Sequence, residues 1–185
     1  MRRFLLAFAG VCCLSMAATV MADQGDLRLD PLFDRLQSVD LSQAQAREIE
    51  FDIWRIWGAT DDSRVQELLA NGTQAMATGS FEQALVSFNM AVELASGMSE
   101  AWNKRATLHY LMGSYEESIY DIQQTLALEP RHFGALSGLG LVYLGMKREE
   151  EALHAFEKAL EVNPHMPGPK SYVRQLTEKL KGIGA

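Results

Sequence analysis

Along most of the chain, apolar residues return every three or four positions with polar residues between them. Ile49, Ile53, Ile56 and Trp57 do so in one stretch, and Tyr172, Val173, Leu176 and Leu180 in another. That spacing lays an apolar stripe along one face of a helix. The stripes are interrupted at regular places. Gly79 and Gly113 sit between apolar-periodic runs, where a helix end needs a left-handed residue. Pro130 and Pro164 follow later runs and stop them, because proline cannot continue a helix. The pattern predicts helices over 65–78, 81–95, 99–112, 115–128, 133–146 and 149–162. Further helices are predicted at both ends. Ser42-Gln43-Ala44-Gln45 is a capping box that opens a helix running to Trp57 and stopped by Gly58. A shorter helix over Pro31 to Leu36 precedes it. Pro169 introduces the last amphipathic stretch, and Lys179, Lys181 and Gly182 suit its end.

The six central helices are a repeat. A shift of 34 positions superposes blocks 65–98, 99–132 and 133–166. Gly72, Ala106 and Gly140 fall in register, as do Ala84, Ser118 and Ala152. Phe88, Ile122 and Phe156 align, followed by Ala91, Thr125 and Ala159, then Leu94, Leu128 and Val162. Small residues let paired helices approach, and the large ones fill the space between them. Each block resembles a tetratricopeptide repeat. The resemblance implies an all-α fold: a right-handed α-solenoid of three helix hairpins, with capping helices at each end. The third block departs at Lys147 and Glu149, which stand where the second has Gly113 and Tyr115; a looser turn is expected there. Residues 31–64 are expected to form a degenerate helical cap stacked on the first repeat, and 167–185 a C-terminal capping helix. Residues 23–30 are expected to be flexible.

The first 22 residues read differently. Arg2 and Arg3 precede an apolar run from Phe4 to Leu14, and Val20-Met21-Ala22 supplies small residues at a cleavage position. This is the layout of an export signal, with an uncleaved membrane anchor over Phe4 to Ala22 as the alternative. Both cysteines, Cys12 and Cys13, lie inside it. The remainder would then be free of disulfides, thiol catalysis and cysteine metal sites. Loss of Arg2 and Arg3 makes the mature chain more acidic than the full-length net charge of −7. Acidity without a basic block argues against nucleic acid and anionic lipid as partners. An apolar share of 48% with 22% charged excludes disorder of the chain as a whole. Export without disulfides makes a bacterial periplasm the expected location. The chain resembles small signal-bearing tetratricopeptide proteins of proteobacterial envelopes.

No catalytic constellation is visible. The chain has no HExxH, no nucleophile elbow and no phosphate-binding glycine loop; Gly138-Leu139-Gly140 falls inside a repeat helix. His132 and His165 end successive repeats, and packing explains them better than a metal does. No cofactor or metal is expected. Met112 and Met146 read as packing, not copper ligands. Glu149-Glu150-Glu151 opens a helix, where negative charge suits the dipole.

Binding is the remaining class. In tetratricopeptide proteins the first helix of each repeat lines a concave groove. The resemblance carries this role to Gln66 and Thr73 in the first repeat. In the second it falls on Asn103, Lys104, Thr107 and Tyr110, and in the third on Ser137 and Leu141. A partner protein or peptide is expected there. A clamp for a C-terminal carboxylate is not, because Gly134 and Gly138 stand where cations would be needed. Arg105 occupies a position held by Leu139 in the next repeat. It must pair with an acid such as Glu117 or Asp121, or else serve a ligand together with Arg131 and His132. Phe51, Trp54 and Trp57 are either core or an exposed patch through which a homodimer could form.

Overall fold

The computed structural model describes residues 25–183, so the segment expected to be an export signal, residues 1–22, lies outside the described residues. Among the described residues the regular structure is helical throughout. Three antiparallel hairpins stack in chain order: α3 (Ser63–Ala77) with α4 (Phe81–Leu94), α5 (Ser99–Met112) with α6 (Tyr115–Leu128), and α7 (Phe133–Gly145) with α8 (Glu149–Val162). A short helix, α1 (Leu29–Leu36), and a full-length one, α2 (Gln43–Trp57), precede them, and α9 (Pro167–Ile183) follows. The helix bounds stay within two residues of those set by the apolar spacing. Leu29, expected in a flexible lead-in, is instead helical and fully buried.

Each hairpin closes on a matched pair. A Cβ built on Gly72 would stand 2.5 Å from the Phe88 ring, and one on Gly140 would stand 2.5 Å from Phe156. The second hairpin carries Ala106 against the smaller Ile122, both buried. Size is conserved across the pair, as a close-packed interior requires. Ser118 adds a polar tie, donating its hydroxyl to the Ala106 carbonyl at 2.8 Å.

The turns inside the hairpins are alike. Gly79 and Gly113 have φ of 77° and 76°. Lys147 takes the same left-handed conformation at φ 60°. The Arg148 amide reaches the Tyr143 carbonyl at 2.8 Å, as Ser114 reaches His109 at 2.9 Å. The third turn is therefore not looser. It has the same geometry, held by a side chain that disfavours it.

At the C-terminal end α9 covers α8. Tyr172 stacks on Phe156 with ring centres 4.7 Å apart, and Leu176 is buried beside them. Gly182 does not end this helix, which continues to Ile183.

The N-terminal hairpin α1–α2 does not stack on the first repeat. It lies along the edge of the solenoid, against the segments that join the second repeat to the third and the third to α9. Its apolar core, Leu29, Phe33, Leu36, Ile49, Ile53, Ile56 and Trp57, closes over Phe133 with Val162 and Met166 alongside. Polar contacts pin the same edge. Gln37 donates to the Val162 carbonyl at 2.6 Å, Asn163 donates to Glu50 at 2.8 Å, and Arg131 pairs with Asp30 at 2.7 Å. His165 Nε2 meets the Ser38 carbonyl at 3.0 Å. On α3 the free face of the first repeat is polar, although α4 exposes Val86, Met90 and Leu94. Ala101 and Leu108 are buried where the second hairpin leans on the first, and Ala135 and Val142 are buried in the same register one repeat on. The first repeat has Glu67 and Gln74 at those positions, both exposed. Those two positions need no covering helix.

Candidate functional site

The first helices α5 and α7 stand side by side and leave a cavity of about 210 Å³ between them. Asn103, Thr107 and Tyr110 line it from α5, Ser137 and Leu141 from α7, and Met166 from the turn before α9. Five of the eight groove residues expected from sequence therefore meet at one place. Gln66, Thr73 and Lys104 do not line it. Gln66 donates to the Thr60 carbonyl at 2.6 Å, and Thr73 bonds back to Leu69 within its own helix at 2.7 Å. Lys104 pairs with Glu100 at 3.2 Å.

The cavity mixes polar rim and apolar floor. Thr107 and Ser137 bring hydroxyls, although Thr107 also donates to the Asn103 carbonyl at 3.0 Å. Ile122 reaches the base from α6. Tyr110 is half-buried, its ring 6.2 Å from that of Tyr115. The arrangement supplies apolar contact and a few hydrogen-bonding groups that fix register, and no nucleophile paired with a base.

Behind the cavity lies a buried polar cluster that sequence reading missed. Glu100 is almost fully buried at the first turn of α5. Asn103 donates to its Oε2 at 2.9 Å, and His132 Nε2 stands 3.3 Å from the same oxygen, outside hydrogen-bond geometry. Burial pushes the Glu100 carboxyl up, yet His132, Lys104 and Asn103 together hold it below the ordinary carboxylate range. His132 caps α7 by accepting from the Ala135 amide at Nδ1, 3.1 Å away, so Nε2 faces Glu100. Trp57 closes the cluster from outside, stacked on the His132 ring at 4.1 Å. Trp54 lies beside it and presses on Gly134, where a Cβ would come within 2.5 Å of the indole. Both tryptophans therefore belong to a core, and of that aromatic trio Phe51 alone is exposed, at 67%. A signal existed in the sequence. Gly134 stands in register with Gln66 and Glu100, and the missing side chain is the space that Trp54 fills.

Arg105 is a structural ion pair. Its Nε and one terminal nitrogen each meet an oxygen of Asp121 at 2.8 Å, and the other terminal nitrogen meets Asn89 at 3.0 Å. Asp121 is 1% exposed. The partner is Asp121 and not Glu117, because Asp121 lies on the buried face of α6. His109 stands 3.8 Å from Asp121, and its pKa is lowered by burial despite that carboxylate. Among the described residues no group of histidines and carboxylates is gathered to hold a metal ion, and no helix is long and apolar enough to cross a membrane.

Comparison with known proteins places this geometry. A profile of the tetratricopeptide repeat matches residues 134–166. A TPR repeat-containing protein of Rhizobium etli is 33% identical over 158 residues, 84% of this chain and 76% of that protein. The chain belongs to the tetratricopeptide repeat family. The small glutamine-rich tetratricopeptide repeat-containing protein 2 of Saccharomyces cerevisiae is 25% identical over 56% of this chain, which spans only 30% of that relative. The TPR domain of Sgt2 from Aspergillus fumigatus superposes with a TM-score of 0.62 at 22% identity, covering 66% of this chain and 82% of that one. The first TPR domain of Spaghetti, solved with an HSP90 peptide, gives a TM-score of 0.62 at 18% identity, over 66% of this chain and 97% of that domain. At these identities the structural likeness speaks to the fold, a solenoid of helix hairpins.

Proposed function

We propose that this TPR protein is a non-enzymatic adaptor that binds a partner protein or peptide between α5 and α7. The supporting observation is the cavity where Asn103, Thr107, Tyr110, Ser137 and Leu141 converge. TPR domains of the same fold have been solved with an HSP90 peptide and with an HSP70 peptide, which supports a peptide or protein partner. Here the ligand is not gripped by a carboxylate clamp. Lys104 is committed to Glu100, and Gly134 and Gly138 offer no cation across the groove. An apolar side chain seated against Leu141 and Ile122, with backbone groups met by Thr107 and Ser137, fits the lining better.

We further infer that the protein works after export, in a periplasm. This rests on Arg2, Arg3, the run from Phe4 to Leu14 and the small residues before Asp23. Fractionation with sequencing of the mature N-terminus tests it, and a mature chain starting at Asp23 is the expected result.

The groove is tested by placing a photo-crosslinking residue at Tyr110 or Ser137 in the native host and identifying what is captured. A single partner captured at both positions, and lost in a Thr107→Arg/Ser137→Arg variant that keeps its helix content, is expected. Capture indifferent to that variant overturns the groove. So does a crosslinked product made only of this chain, which would mean self-association.

A further inference from the structure

The solenoid repeats itself closely enough that one inter-repeat space can be compared with the next. On the outer side, a groove runs between α6 and α8 with α7 as its floor. It encloses about 810 Å³, ample for several side chains of a bound segment. Leu136, Leu139 and Tyr143 form the floor, Leu126 and Ala155 the walls. One repeat earlier the corresponding space is occupied by the chain's own side chains. Trp102 stands where the groove has Leu136, Arg105 where it has Leu139, and Asp121 where it has Ala155. Trp102 donates its indole N–H to the Ser96 carbonyl at 2.8 Å, with the Arg105 guanidinium 5.0 Å from its ring. The exchanges to Leu136, Leu139 and Ala155 all remove volume or charge, while His109 to Tyr143, Val92 to Leu126, Ser96 to Pro130 and Ala127 to Glu161 run the other way. The later space is an emptied version of the earlier one.

Its rim is acidic. Glu150, Glu151 and Glu161 border it against Lys158 and His154. Glu151 is held by Arg148 at 2.9 Å, but among the described residues Glu150 and Glu161 have no ion-pair partner. We propose that this outer groove is a second docking site, taking a helical segment of a partner that presents a tryptophan or similarly large apolar side chain beside an arginine or lysine. The large side chain fills what Leu136 and Ala155 leave open. The cation answers Glu150 and Glu161, as charge complementarity across an interface requires. The site lies on the opposite face from the cavity between α5 and α7 and does not depend on that cavity being occupied.

The probe is a short synthetic helical peptide with Trp and Arg three residues apart and lysines on the same face. Controls carry Ala for Trp or Glu for Arg. Binding to the full-length protein is followed by fluorescence anisotropy and by NMR shifts of Leu126, Leu139 and Tyr143. Binding that perturbs these residues, and weakens about tenfold or more in each control peptide, is expected. Leu136→Trp/Leu139→Arg/Ala155→Asp writes the side chains of the earlier space into the later one and should abolish it. Should that triple variant fail to fold, Glu150→Lys/Glu161→Lys decides on exposed positions alone, with the same loss expected. No binding, binding untouched by the rim variant, or shifts confined to the Tyr110 side overturns the proposal. Self-association of the protein abolished by the rim variant overturns it in favour of a second copy as the occupant.

Discussion

Arg105 shows how one side chain can be read two ways until its neighbours are known. A guanidinium forked onto a carboxylate that is 1% exposed is held by geometry and by lack of water. Removing it strands Asp121. Arg105→Leu should lower stability by about 3–5 kcal/mol in urea unfolding, and Arg105→Leu/Asp121→Leu should recover most of that loss. Lys147 makes the opposite kind of statement. It pays conformational strain at φ 60° in a turn whose counterparts are Gly79 and Gly113. Lys147→Gly should raise stability by about 1 kcal/mol without shifting any helix, measured by the same unfolding curve.

At the scale of elements, the repeat helices were legible because each carries its own punctuation. The capping box at Ser42 forms as written, with Gln45 returning to the Ser42 amide at 3.0 Å. The groove residues were legible to the extent that helical spacing fixes which side of α5 and α7 they share. Which of them meet was not, because Lys104 and Asn103 are drawn to Glu100, a buried acid that no local pattern announces. The seat of α1–α2 was hidden for a similar reason. Periodicity leaves Trp54 and Trp57 open between core and exposed patch, and cannot name what covers them. The clues lie far apart in sequence: a glycine at Gly134 and polar Glu67 and Gln74 on the free end. Gly134→Leu should push Trp54 off and release the hairpin, seen as a red shift and stronger quenching of tryptophan fluorescence, while the central hairpins keep their helix signal. Trp57→Ala should cost about 3–5 kcal/mol of the hairpin's docking, read from its own unfolding step.

For the whole molecule, Glu100 links the packing of α5 against His132 to pH. Its carboxyl is held below the ordinary range in the folded state, so on acidification the unfolded chain takes up the proton first. The stabilisation is complete above the unfolded carboxylate value of about 4.3 and is lost as pH falls through the lower, folded value. Thermal unfolding followed between pH 7 and pH 3 should therefore show a falling midpoint, and Glu100→Gln should flatten that acid limb. If both proposed grooves are used, the second and third repeats would hold two partners at once, one on each face of the same pair of repeats.

The docking of α1–α2 also sets an order of events during synthesis. The hairpin is translated before the repeats, yet the surfaces it needs, from Arg131 to Met166, emerge more than a hundred residues after Asp30. Until then Ile53, Ile56 and Trp57 have only Leu29, Phe33 and Leu36 of α1 to cover them. Contacts of such sequence separation form late. The finished fold thus closes with its earliest segment, and a ribosome stalled before residue 131 would display an apolar hairpin that holdase chaperones can grip.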